Sequence, residues 1–110
     1  MSPASRSLLH GTLDLLVLRT LSLGPLHGHG IAKHIEQRTD EALTVEHGSL
    51  YPALARLEKS GLIASRWEKS PRGREMRFYR LTAKGRSYLD AEESRWKALV
   101  RAMAKMLRPA

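Results

Sequence analysis

Residues 12–23, TLDLLVLRTLSL, set the tightest constraint on how this chain folds. At about 100° per residue they put leucine or valine on nearly every side of a helix, interrupted by the charges of Asp14 and Arg19. A helix that is apolar all round needs cover on two sides. One side packs on the core of its own domain; the other calls for a later helix or a second subunit. Gly24-Pro25 then stops the helix. With 110 residues in all, the chain is expected to be one domain, 1–110, too small to bury every apolar face it carries. Association with a second copy is therefore one natural way to finish burying those faces.

The composition narrows the class. The chain is 42% hydrophobic and 27% charged, the balance of a domain that folds in water. No apolar run nears the ~18 residues of a membrane span. The opening MSPASRSLLHG has neither the apolar core nor the cleavage site of a signal peptide, so no membrane partner and a cytoplasmic location are expected. Zero cysteines exclude a disulfide framework, a thiol nucleophile and any cysteine-ligated metal site. Nineteen Lys and Arg against eleven Asp and Glu leave a formal net charge of +8, which favours a polyanionic partner, nucleic acid first among them.

Along the chain, HGHGIAKHIEQRT places Ile31, Ala32 and Ile35 on one face of a second, shorter helix, and DEALTVEHG has room for a brief extended segment at Leu43 to Val45. A third helix follows over 47–60, with Leu50, Leu54 and Leu57 inward and Gly61 ending it. Ser49, Pro52, Arg56 and Lys59 are read onto its outward side. A proline inside a helix removes a donor and crowds the preceding turn. With Ser49 near the N-cap, Pro52 would fall among the first helical positions, whose N–H groups have no partner in the helix.

The segments 62–68 and 75–81 flank KSPRGR and read as two strands around a Pro/Gly turn. This hairpin is lopsided in charge: Arg66 to Arg86 holds eight Lys or Arg and two Glu, with Lys69, Arg72 and Arg74 at the tip. Thr82 starts a long last helix reaching about Leu107. Along it Leu89, Trp96, Leu99, Val100, Met103, Met106 and Leu107 form a stripe near heptad spacing. Little domain remains to cover that stripe, so Leu13 and Leu16 of the first helix and Leu89, Trp96, Leu99, Val100, Met103 and Leu107 of the last are expected at a dimer interface.

Three short helices followed by a basic-tipped hairpin give a mainly α fold with a small β-hairpin: a winged helix-turn-helix over 8–81 and a C-terminal dimerisation helix over 82–107. In such motifs the second helix of the pair enters the major groove, here the helix 47–60, and a basic hairpin suits phosphates or the adjacent minor groove.

The segments GTLDLLVLRTLS, LHGHGIAKHI, GSLYPALARLEKSGLI and RFYRLTAKG resemble, in order and spacing, the motifs of PadR-like bacterial transcriptional regulators over roughly residues 8–92. The Leu-Tyr-Pro-x-Leu-x-x-Leu-Glu-x-x-Gly-Leu-Ile core is the specific part. The resemblance implies a homodimeric winged-helix repressor of the short branch with a single terminal helix. It places contacts to double-stranded DNA near His47, Ser49, Tyr51, Pro52 and Arg56 and in the wing from Lys69 to Arg77. Together with the outward Lys59 and the wing cations Arg72 and Arg74, these form the expected DNA-binding set. His29 stands where the family commonly has tyrosine. Many members respond to a small aromatic ligand; the family shares no single effector pocket, so the resemblance stops at a small-molecule effector of unspecified identity.

Blander readings stand beside several of these. Tyr51 lies between DNA contact and packing on the leucine flank. Arg56 on a helix could simply be solvated, and Trp96 serves more readily as an interface anchor than as a platform for a flat ligand. His27, His29 and His34 lack the spacing of a metal site, so no metal and no cofactor are expected. No nucleophile elbow, phosphate loop or metal-and-base signature is present, and the chain is not expected to be an enzyme. The alternative function is a winged-helix protein-interaction module without specific DNA binding. The cationic Arg56, Lys59 and wing disfavour it, because protein interfaces are depleted in lysine.

Overall fold

The computed structural model describes residues 3–109; Met1, Ser2 and Ala110, which belong to the expected domain, lie outside the described residues. In chain order the elements are helix α1 (Pro3–Leu21), strand β1 (Leu26–His27), helices α2 (Gly28–Arg38) and α3 (His47–Lys59), strands β2 (Ile63–Lys69) and β3 (Glu75–Leu81), and helix α4 (Ala83–Leu107).

The core forms where α1 meets α2, α3, α4 and β3. Val17, Leu18 and Leu21 of α1 interlock with Ile31 and Ile35 of α2, Leu50, Leu54 and Leu57 of α3, Ile63 of β2 and Tyr79 of β3, all buried. The helical members are the periodic positions of each helix, and such an apolar stripe decides which face each helix turns to the core. Besides the tyrosine Tyr79, Thr20 is the one polar residue among the buried described residues. Its hydroxyl donates to the Leu16 carbonyl at 2.8 Å, so its burial leaves no orphan donor.

The hairpin has the expected ends within a residue. β2 and β3 pair antiparallel from Ile63 opposite Leu81 to Lys69 opposite Glu75. The turn between them closes with the Ser70 N–H donating to the Arg74 carbonyl and the Gly73 N–H to the Ser70 carbonyl. Gly73 takes φ +79°, which glycine adopts without a Cβ penalty. The sheet has a third strand the sequence reading misses: β1 pairs with β3, Leu26 opposite Tyr79 and His27 opposite Phe78, giving the order β1-β3-β2. Two residues are too few for alternation to register, and β1 exists because β3 offers it an open edge.

Residues 43–45, by contrast, form no strand. Leu43 and Val45 pack on the core, and the Val45 N–H donates to the Glu36 carboxylate at 2.9 Å, satisfying a donor that a ladder would otherwise take. Helix α1 begins well before residue 12, at Pro3.

The placement of Pro52 also needs correction. The N-cap of α3 is Glu46, in extended conformation, and the N–H groups of Ser49 and Leu50 already bond back to the Glu46 carbonyl. Pro52 is thus the sixth helical residue, beyond the positions that lack partners. Its ring faces the carbonyl four residues back, that of Gly48, which is exposed and has no side chain, so water can reach the carbonyl the proline leaves unpaired.

Helix α4 starts as expected: the Thr82 hydroxyl accepts the Gly85 N–H at 3.0 Å, a side-chain N-cap. At Gly85 a Cβ would come within 1.9 Å of the Leu62 carbonyl oxygen, so only glycine lets the first turn of α4 lie this close to the start of β2. At 25 residues the helix is about 37 Å long. Beyond Leu89 it leaves the core, and the molecule measures 59 × 28 × 24 Å.

Candidate nucleic-acid interface

Helix α3 buries Leu50, Ala53, Leu54 and Leu57 and exposes Tyr51, Pro52, Ala55, Arg56 and Lys59. Its two flanks are held differently. On one flank the Arg56 guanidinium donates to the Asp14 carboxylate of α1 at 3.0 Å. On the other the Glu58 carboxylate accepts from Arg77 of β3 at 3.0 Å and from the Ser65 hydroxyl of β2 at 2.6 Å, while Arg77 Nε donates to Ser65 at 2.9 Å.

The first turn of α3 has no side-chain cap, which leaves the positive end of the helix dipole open. His47 stands there, exposed, its ring edge-on to Tyr51 at 5.6 Å and to His29 at 6.2 Å. Ser49 is half-buried; Tyr51 is 45% exposed and reaches sideways, so close to Gly28 that a Cβ there would meet the phenol oxygen at 2.8 Å.

Between the start of α2, Tyr51 and the base of the wing runs an open cleft of about 540 Å³, lined by His27, His29, Trp67, Arg74, Met76 and Tyr79 among others. Burial pushes the Tyr79 phenol above its ordinary value, partly offset by the Arg77 guanidinium 5.7 Å over its ring. At the wing tip Lys69, Arg72 and Arg74 are exposed. No ion pair engages them, or Lys59, among the described residues.

The structure therefore divides the cations that the sequence reading groups together. Arg56 is not on the outward centre of α3 but on the flank facing α1, because the helix rotates to bury Ala53 beside the leucines. Arg77, at the base of the wing, is tied to Glu58. Arg56 and Arg77 are exposed but ion-paired, whereas Lys59, Lys69, Arg72 and Arg74 are exposed with no ion pair among the described residues.

Two features escape the sequence reading. One is Trp67, 63% exposed on β2 beside the cleft; the other is the pair of carboxylates, Asp14 and Glu58, that engage the arginines. An aromatic residue in a cationic hairpin is a usable sign for the first. The second depends on contacts 42 and 19 residues apart, which no local pattern carries.

The expected dimer set also divides. Leu13 and Leu89 lie in the chain's own core, 9% and 2% exposed, because α1 packs on the start of α4 and covers both; Leu16 is partly buried against that core. Trp96, Leu99, Val100, Met103, Met106 and Leu107 stay exposed in a row along α4. No helix among the described residues is long and apolar enough to cross a membrane.

Three helices, a three-stranded antiparallel sheet and a cationic wing beside an open helix N-terminus define a winged-helix DNA-binding protein. Residues 17–91 match the transcriptional regulator PadR-like family, and the chain belongs to it.

A transcriptional regulator from Clostridium thermocellum has the same fold, with a TM-score of 0.84 and 29% identity over 93% of this chain and 99% of that one. An uncharacterized protein X of Lysinibacillus sphaericus is 28% identical over 81% of this chain and 82% of its own length. An uncharacterized 37.1 kDa protein in transposon TN4556 of Streptomyces fradiae is 46% identical over 72% of this chain, which spans 21% of that protein.

Proposed function

We propose that this chain is a homodimeric repressor that reads operator DNA with α3 in the major groove and sets its wing on the backbone or adjacent minor groove. The observation that carries the reading is the set of exposed cations with no ion pair among the described residues, Lys59 in the last turn of α3 and Lys69, Arg72 and Arg74 on the wing, together with an α3 N-terminus that has no side-chain cap. His47, Ser49, Tyr51 and Pro52 form the leading edge of the helix that meets base edges. Arg56 and Arg77 belong to the binding surface as supports, since each is already bonded to a carboxylate. Occlusion of a promoter by the bound dimer is the mode of repression.

Dimerisation rests on α4. Its exposed row from Trp96 to Leu107 is too apolar to leave in water, and a second copy supplies the matching surface.

Fluorescence anisotropy with a duplex selected by the protein from a random library, against a scrambled duplex over a range of salt, tests the DNA reading. A steep salt dependence and at least ~10³-fold preference for the selected duplex are expected. A shallow slope without preference would turn the reading toward a protein-interaction module.

A further inference from the structure

We propose that Glu58 is a positioning residue that fixes the pitch of the wing against α3, through Ser65 and Arg77, and so sets where the two elements fall on DNA; the inference rests on the DNA-binding reading above. A carboxylate is out of place on a surface that meets a polyanion, unless its charge is used within the protein. Here it is used fully. One oxygen of Glu58 accepts from Arg77 Nη2 at 3.0 Å and the other from the Ser65 hydroxyl at 2.6 Å. Arg77 Nε donates to the same hydroxyl at 2.9 Å, closing a triangle of three hydrogen bonds among three elements.

An isolated exposed ion pair holds little. A closed set differs, because each member fixes the orientation of the other two, and a guanidinium with two of its donors engaged has little freedom left. Ser65 and Arg77 sit on adjacent strands of the hairpin, so the hairpin cannot swing away from α3 without breaking bonds on both strands. The guanidinium also lies 5.7 Å over the ring of Tyr79, two residues on along β3, a further contact that holds its orientation. The brace stands at the root of the wing, and the unpaired cations stand at its tip, where a small change of pitch becomes a large displacement.

The sign of one substitution separates this from simple electrostatics. Removing a negative charge near DNA should tighten binding to every duplex if charge alone counts. If Glu58 is a brace, Glu58→Ala should weaken binding to the selected duplex about tenfold, leave the scrambled duplex unchanged or slightly tighter, and keep the salt slope. The swapped pair Glu58→Arg with Arg77→Glu should recover most of the loss. Tighter binding of Glu58→Ala to both duplexes would overturn the proposal.

A second arm needs no DNA. The chain has no cysteine, so spin labels on Lys59→Cys and Arg72→Cys report the distance from helix to wing tip, with labelled protein diluted in unlabelled. A narrow distribution that broadens on adding Glu58→Ala supports the brace, and equal widths would overturn it. Loss of all DNA preference in the unsubstituted protein would instead reject the DNA reading, leaving the distance measurement to judge the brace.

Discussion

Arg56 and Arg77 look like Arg72 and Arg74 in the sequence, and the structure gives them opposite duties. The first two end on Asp14 and Glu58; the second two end in solvent. Replacing Arg72 and Arg74 together with alanine is expected to lower the slope of log affinity against log salt by about two per subunit, with sequence preference nearly unchanged. Arg56→Ala is expected to leave that slope alone and to cost about 0.5–1 kcal/mol of stability in urea unfolding, the size of an exposed ion pair. A slope that falls with Arg56→Ala would mean that the arginine leaves Asp14 for a phosphate. That cations matter here was legible from charge counting. Which of them are spent inside the protein was not, because their carboxylates lie far off in sequence.

Two further residues carry consequences for stability. Gly85→Ala forces a Cβ into the Leu62 carbonyl, backbone against backbone, and is expected to cost about 3 kcal/mol in denaturant unfolding. Tyr79 keeps its proton more tightly when folded, because burial disfavours the phenolate. The unfolded chain ionises nearer 10.0, so Tyr79's contribution is whole below that pH and is lost as pH rises through the folded value. Tyr79→Phe should therefore show a smaller alkaline loss of melting temperature than the unsubstituted chain.

At the scale of elements, periodicity located the three helices of the core and both long strands, since leucines at i, i+4 and i+7 leave little choice of face. What it could not locate was anything set by a neighbour. β1 is a strand only because β3 has a free edge, and Leu43 to Val45 is not one because Glu36 takes the Val45 N–H. The cap of α3 shows the same limit: Ser49 has the right chemistry, yet Glu46 holds the position, and Pro52 is tolerated through the bare, exposed backbone of Gly48. Helix α4 was readable as a stripe but not in its division. Leu89 is claimed by α1, whereas the row from Trp96 onward is left open. Trp96→Asp is expected to yield monomers by light scattering at micromolar concentration with helix content retained. A persistent dimer would place the interface elsewhere.

The molecule as a whole is a basic domain with its charge held unevenly and one long helix standing clear of the core. Net charge and element order were enough to indicate a DNA-binding winged helix; the relative placement of the wing and α3 came only from the fold, through side chains bonded across three elements. That placement is the substance of the functional reading, since a wing and a helix that bind together must be held at the spacing of the DNA they meet.

The most direct test is the salt dependence of binding to a duplex selected by the protein itself, measured by anisotropy beside a scrambled control. The expected result is a steep slope on both duplexes and at least ~10³-fold tighter binding to the selected one. Equal affinity for the two, or a shallow slope, would contradict a sequence-reading dimer.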